Sequence, residues 1–174
     1  MYAYHLEPLY QNSIDKGTFS ARDIENLFQW KNGMKLSGKK RKTLDGITHR
    51  LEIINGLKTN FDLGAFQNEF GKIAIIWKIF LLHIISPQRY PIFDQHVCRA
   101  FHFLQYSSLS GSLTEKIYFQ DYVPFFDSVA KISSASRKRT DEALMMFGKF
   151  LKTEYGIEVS RLAKRGMPAG AMNR

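Results

Sequence analysis

One segment, residues 72–85 with the sequence KIAIIWKIFLLHII, constrains the fold more than any other part of this 174-residue chain. After its first residue, only Lys78 and His83 interrupt its apolar character, so a helix drawn through it is apolar on nearly all sides. Its 14 residues are too many for an ordinary strand and fall short of the roughly 20 that a membrane-spanning helix needs. We therefore predict a central buried helix, because only an element surrounded by protein tolerates such a pattern.

The remaining chain also follows helical spacing. Ser20 is a candidate N-cap for a helix that ends near Trp30, before Asn32-Gly33. A helix from about Lys40 to Asn55 is expected to end at Gly56, which stands in the position of a left-handed C-cap. Further helices are predicted at residues 62–70, 95–105, 118–132 and 136–155.

These elements predict an all-α fold. We expect a single compact orthogonal helical domain of about seven helices over residues 1–156. Residues 157–174 are predicted to be a loose, flexible basic tail, because the chain ends in the sequence RGMPAGAMNR.

Composition excludes several classes of protein. Hydrophobic residues make up 44% of the chain, which excludes global disorder, and the lone cysteine, Cys98, excludes a disulfide framework and multi-cysteine metal sites. The histidines share no ligand spacing, so we predict no metal and no cofactor. The N-terminal residues show no basic stretch followed by an apolar run, which predicts a cytoplasmic protein without a signal peptide or membrane partner.

The net charge of +9 is concentrated in two segments. Residues 34–50 carry a net charge of +5 and residues 131–174 a net charge of +6, so the rest of the chain carries −2. Such localised positive charge favours an anionic partner, most commonly nucleic acid, whose phosphates release counterions when neutralised. A solvated helix face followed by a basic tail is the alternative explanation.

The segment SPQRYPIFDQHVCRA, residues 86–100, holds the densest group of chemically reactive side chains. Two prolines stiffen a loop, and Asp94 stands at the start of the helix that carries His96 and Arg99. A simple structural explanation is that Asp94 caps this helix and that the other two are surface residues. Residues 91–99, PIFDQHVCR, also resemble the VDTHVxR segment of the helix–hairpin–helix DNA glycosylase superfamily.

The resemblance extends over residues 71–100 and includes the order of elements: apolar helix, loop, aspartate and next helix. The sequence agrees with the motif at Asp94, His96, Val97 and Arg99, whereas Gln95 replaces the usual threonine. The family's Leu-Pro-Gly-[Val/Ile]-Gly hairpin has no clear copy, and its nearest counterpart is Phe70-Gly71-Lys72. The spacing from there to Asp94 is a few residues longer than usual, and the four-cysteine cluster of some members is absent.

The resemblance implies a DNA repair enzyme that cleaves the N-glycosidic bond of a flipped base. Asp94 would be its catalytic carboxylate, and Lys72 would take the place of the Schiff-base lysine of bifunctional members. The candidate nucleic-acid-binding residues are Lys39, Lys40, Arg41, Lys42, Arg89, Tyr90, His96, Arg99, Arg137, Lys138 and Arg139. Tyr90 is predicted to be exposed and able to stack on a base.

Two alternatives remain open at this level: a non-catalytic nucleic-acid-binding helical domain, and a helical protein–protein interaction domain. DNA is favoured over RNA as the partner. The sequence leaves the target base and the oligomeric state open.

Overall fold

Every regular element in residues 4–165, the part of the chain that the computed structural model describes, is helical. Within that range lie ten α-helices and one π-helical stretch, so the predicted all-α class is confirmed, whereas the predicted number of about seven helices is too low. The chain divides into two units, Met1–Tyr90 (unit 1) and Pro91–Arg174 (unit 2). The assignment of residues 1–156 to a single domain stays a prediction.

The helices of unit 1 are α1 (Glu7–Ile14), α2 (Ala21–Asn32), α3 (Gly38–Thr48), α4 (Leu51–Thr59), α5 (Leu63–Phe70) and α6 (Ile75–Ile85). Unit 2 contains α7 (Gln95–Tyr106), the π-helix (Ile117–Tyr122), α8 (Val123–Ser133), α9 (Arg137–Phe150) and α10 (Glu154–Arg165). In unit 1, α1 packs along α2. In unit 2, the most extensive helix packing is between α7 and α9.

Helix α6 confirms the buried helix predicted from the apolar segment. All nine of its residues from Trp77 to Ile85 are buried. Trp77 and Phe80 both pack on Phe28 of α2, with ring centroids 4.7 and 5.2 Å apart. The helix begins at Ile75 rather than at residue 72, because residues 71–74 form the turn that leaves α5.

Local capping residues set the ends of several helices, as predicted. Ser20 and Asp23 form a reciprocal capping box at the start of α2. Gly33 ends that helix with a φ of 72°, a left-handed conformation that glycine adopts without steric cost. Asp62 caps α5 by accepting a hydrogen bond of 2.5 Å from the backbone N–H of Ala65.

The predicted single helix over residues 40–55 is wrong, because the chain breaks between α3 and α4. Side chains at the end of α3 compete for its carbonyl groups: Thr48 Oγ1 donates to the carbonyls of Leu44 and Asp45, and His49 Nδ1 also bonds the Asp45 carbonyl. The next residue, Arg50, leaves the helical conformation, with φ −106° and ψ 27°. Such local side-chain bonding ends a helix where the apolar periodicity does not. Gly56, predicted as a C-cap, lies inside α4.

Helical structure continues past the predicted start of the tail. Thr153 Oγ1 accepts from the backbone N–H of Gly156, so Gly156 lies in the first turn of α10 rather than at the end of a helix. A β-carbon at Gly156 would lie 2.2 Å from the carbonyl oxygen of Phe150, so glycine permits this close turn. The remainder of the predicted tail, residues 166–174, lies outside the described residues.

Candidate functional site

The carboxylate of Asp94 is held at the N-terminus of α7. Its Oδ1 accepts hydrogen bonds from the backbone N–H groups of His96 (2.8 Å) and Val97 (3.0 Å), and the residue is half-buried. This is the predicted N-cap geometry. It fixes the orientation of the carboxylate and places it at the positive end of the helix dipole.

The π-helix holds the three residues before Asp94. Tyr118 Oη donates to the carbonyl of Pro91 (2.8 Å), and Tyr122 Oη donates to the carbonyl of Ile92 (3.0 Å). Both tyrosines are fully buried, and the Phe93 ring stacks on Tyr122 at 4.3 Å. The segment that leads to Asp94 is therefore anchored by two buried hydroxyl groups. The sequence gives no sign of this arrangement, because tyrosines four residues apart on a helix look like ordinary core residues.

The hydroxyl group of Tyr122 lies near the carboxylates of Asp141 and Asp94. Burial raises the pKa of Tyr122 well above its usual value, and the charges of Asp141 and Asp94 raise it further, whereas Arg137 opposes them. Asp141 of α9 and Asp94 of α7 therefore both lie within electrostatic range of the Tyr122 hydroxyl. Sequence spacing could not reveal this relationship, since 47 residues separate the two carboxylates.

His96 and Arg99 lie on the face of α7 that meets the end of α9. The Arg99 Nη1 donates to the carbonyl of Gly148 (3.0 Å) and lies 3.4 Å from His96 Nδ1. Burial lowers the pKa of His96; Arg99, Lys149 and Lys152 also lower it, while Asp94 opposes them. Because arginine can only donate, the contact with Arg99 makes His96 Nδ1 an acceptor, as in neutral imidazole. Arg99 is thus bonded within unit 2, to a carbonyl in the last turn of α9.

Three candidates that precede Asp94 belong to unit 1. Lys72 is exposed in the turn between α5 and α6, so the expectation that it occupies the first turn of a helix is wrong. Arg89 lies over the ring of Phe61, 5.5 Å from its centroid. The predicted exposure of Tyr90 is also wrong: its side chain is 9% exposed and packs against Phe61 at 5.3 Å.

The two basic runs occupy equivalent positions on their helices. In α3, Ser37 is the N-cap and is followed after one glycine by exposed Lys39–Lys42, the α3 basic turn. In α9, Ser136 is the N-cap and is followed directly by Arg137–Arg139, the α9 basic turn. Neither helix has an acidic residue in its first turn.

One member of the α9 basic turn, Arg137, packs against other residues of the protein. Arg137 forms an ion pair of 2.5 Å with Asp127 and lies 4.7 Å from the centroid of the Phe126 ring. Its Nε and Nη2 atoms are buried and make no hydrogen bond. Lys138 and Arg139 are exposed, so they are the members of this turn that can reach a phosphate.

Lys78 is a buried lysine that the sequence patterns did not mark as functional. Its side chain is 5% exposed, and its Nζ donates to the carbonyl of Gly71 (3.1 Å) at the end of α5. This bond closes the turn at Phe70-Gly71-Lys72, the nearest counterpart of the glycosylase hairpin. In the sequence, the sign of this buried lysine is its position inside an otherwise apolar run.

Neither a metal site nor a membrane-spanning helix is found between positions 4 and 165. No group of three His, Cys, Asp or Glu residues between positions 4 and 165 is arranged to hold a metal ion. None of the helices in that range is both long and apolar enough to cross a membrane.

Comparison of the chain with protein-family models, with curated proteins and with solved structures finds no match. The resemblance to the helix–hairpin–helix DNA glycosylases therefore stays a prediction.

Proposed function

We propose that this chain is a DNA-binding protein of the DNA glycosylase type, which cleaves the N-glycosidic bond of a flipped base with the carboxylate of Asp94. One observation carries the proposal: Asp94 is oriented by two N–H groups of α7, at the end of a segment that Tyr118 and Tyr122 anchor. Such a protein would be cytoplasmic and associated with the nucleoid.

The proposed chemistry needs a fixed negative charge beside the sugar. As the glycosidic bond breaks, positive charge develops on the sugar ring, and a preorganised carboxylate stabilises that charge. Asp94 supplies the charge and can also orient the attacking water. Burial lowers the pKa of His96, so its ring is mostly neutral at pH 7 and adds no positive charge beside Asp94.

The two basic turns support the DNA-binding part of the proposal. Cations in the first turn of a helix oppose the helix dipole and cost stability, typically about 0.3–1 kcal/mol each. Except at Arg137, which pairs with Asp127, the presence of these cations after the serine caps of α3 and α9 is therefore better explained by an anionic partner than by folding. Unpaired N–H groups at a helix N-terminus favour phosphate binding in the same way.

The decisive experiment compares Asp94→Asn with wild type for release of damaged or mispaired bases from a panel of oligonucleotides. Asn caps a helix about as well as Asp, so the variant should fold and still bind DNA while base release falls about 100-fold or more. Asp62→Asn is the matched control, because Asp62 also caps a helix through its Oδ1. It should leave base release unchanged. Lys72→Ala should abolish only strand nicking, and only in a bifunctional enzyme.

The same assays separate the other two functions. Salt-dependent DNA binding without base release from any substrate would favour the non-catalytic nucleic-acid-binding domain. Absence of both DNA binding and base release would favour the protein–protein interaction domain.

DNA binding is tested by its salt dependence. The triple variant Lys39→Ala, Arg41→Ala, Lys42→Ala should reduce the magnitude of the log–log salt slope by about 0.9 for each phosphate that these side chains neutralise in the wild-type complex. A control that removes three exposed cations outside both basic segments, Lys16→Ala, Arg22→Ala, Lys116→Ala, should change the slope less. Equal changes in the two variants would argue against a defined phosphate-binding surface at α3.

A further inference from the structure

An open cleft of about 390 Å³ lies in unit 2 beside the C-terminal half of α7. It is lined by Phe101, Gln105, Tyr106, Gln120, Asp121, Pro124 and Phe125. These residues come from α7, the π-helix and the first turns of α8. None of them is among the residues to which the sequence analysis assigned a function.

The cleft has aromatic walls. The buried Phe101 ring meets Tyr106 edge-on at 5.9 Å and Phe125 edge-on at 5.2 Å. Tyr106 is 58% exposed, so a large part of its ring is open to solvent. An exposed aromatic ring beside a buried one is a surface on which a flat ligand can stack.

The rim of the cleft carries two amides and one carboxylate. Gln105, Gln120 and Asp121 are exposed, and none of them makes a side-chain hydrogen bond or ion pair with another residue in positions 4–165. Gln120 and Asp121 belong to the π-helix, a rare conformation that occurs frequently at functional sites. The other side of this helix, Tyr118 and Tyr122, is buried, so the rim residues stand on an anchored element.

We propose that this cleft binds an unpaired nucleobase that carries an amino group. Tyr106 would stack on the flat face of the base, and the glutamine amides can both donate and accept hydrogen bonds at its edge. The Asp121 carboxylate only accepts, so it pairs with an exocyclic amine, as carboxylates do with the amino group of cytosine.

The cleft is distinct from the proposed reaction site. The lining residues of α7 run from Phe101 to Tyr106, seven to twelve positions beyond Asp94, which corresponds to roughly 10–18 Å at the α-helical rise of about 1.5 Å per residue. Base binding in the cleft therefore does not require that Asp94 cleave DNA. If Asp94 does cleave the glycosidic bond, the cleft would hold a base that lies some nucleotides away from the excised base.

Nucleosides without phosphate test this site independently of the basic turns. We would titrate ¹⁵N-labelled protein with 2′-deoxycytidine and with 2′-deoxyuridine, which differ at the ring edge that includes the amino group. The side-chain amide signals of Gln105 and Gln120, assigned with Gln105→Ala and Gln120→Ala, report binding. Deoxycytidine should shift both signals and bind about tenfold more tightly than deoxyuridine, the effect of one charge-assisted hydrogen bond.

Variants identify the contacts. Tyr106→Ala should weaken binding of both nucleosides about tenfold, because the stacking surface is removed, whereas Tyr155→Ala, which removes a tyrosine that is 80% exposed on α10, should weaken neither. Asp121→Asn should abolish the preference for deoxycytidine. Amide signals that do not shift at millimolar nucleoside, or equal affinity in wild type and Tyr106→Ala, would overturn the proposal whether or not the protein releases bases from DNA.

Discussion

Gly148 of α9 packs directly on the backbone of His96 in α7, so closely that a β-carbon at Gly148 would lie 1.9 Å from the His96 carbonyl oxygen. That oxygen belongs to a helix backbone and cannot rotate away. Arg99 joins the same two helices through its hydrogen bond to the Gly148 carbonyl. A single glycine therefore sets the distance between α7, which presents Asp94, and α9, which presents Asp141.

We expect Gly148→Ala to lower the free energy of unfolding by about 3 kcal/mol, because the added methyl group must push two helices apart. Gly56→Ala is the control: it lies inside α4 with no atom near its β-position, and it should raise stability by up to about 1 kcal/mol through helix propensity. Urea denaturation of both variants checks this. A Gly148→Ala variant as stable as wild type would contradict the described packing of α7 on α9.

Tyr122→Phe should cost about 1 kcal/mol of stability, because the partly buried carbonyl of Ile92 loses its hydrogen-bond donor while the ring stays in place. If Asp94 acts as proposed, the variant should also lower kcat with little change in KM, since Tyr122 positions the carboxylate and does not bind substrate. Chemical denaturation and steady-state base-release assays measure the two effects. Reduced stability with an unchanged kcat would assign the hydroxyl a purely structural role.

The lowered pKa of His96 predicts that stability falls when the pH drops below about 6.5. At a pH between 6.5 and the pKa of His96 in the folded protein, His96 is protonated more often in the unfolded chain than in the folded protein. Protonation therefore favours unfolding in this window. His96→Gln should weaken the pH dependence of the urea midpoint between pH 7 and pH 5. A dependence identical to that of wild type would show that His96 titrates normally.

Cys98 should be unreactive although it is the only thiol in the chain. Burial raises the pKa of the thiol to about 11, so roughly one molecule in a thousand carries the thiolate at pH 8. We expect the folded protein to react with a thiol reagent about 100-fold more slowly than free cysteine, and the unfolded protein to react at the ordinary rate. Rapid labelling of the native protein would show that Cys98 is accessible.

The sequence by itself determined the features that depend on neighbours along the chain. Ser20 and Asp94 were both recognised as helix N-caps, because a cap bonds N–H groups two or three residues away. The burial of α6 followed from its composition alone, since its apolar side chains cover almost the whole circumference. The all-α class followed from the same periodic patterns.

Only the tertiary structure decided the features that depend on residues far apart in the chain. Tyr90 lies in a proline-flanked loop and was expected to be exposed, but Phe61 covers its ring. The spacing of Leu104 from Val97, Ala100 and Phe101 puts it on the apolar side of α7, yet it is 50% exposed. Periodicity indicates which face of a helix is apolar, whereas burial depends on which other element packs on that face.

The candidate site also combines local contacts, which the sequence predicts, with contacts between distant residues, which it does not predict. Asp94 could be placed at the start of α7 from the sequence, because its hydrogen bonds are local. The anchoring of its preceding segment by Tyr118 and Tyr122, and the approach of Asp141 to Tyr122, join residues 19 to 30 positions apart. Pairings at such separations arise when helices pack, and a single sequence contains no periodic signal that specifies them.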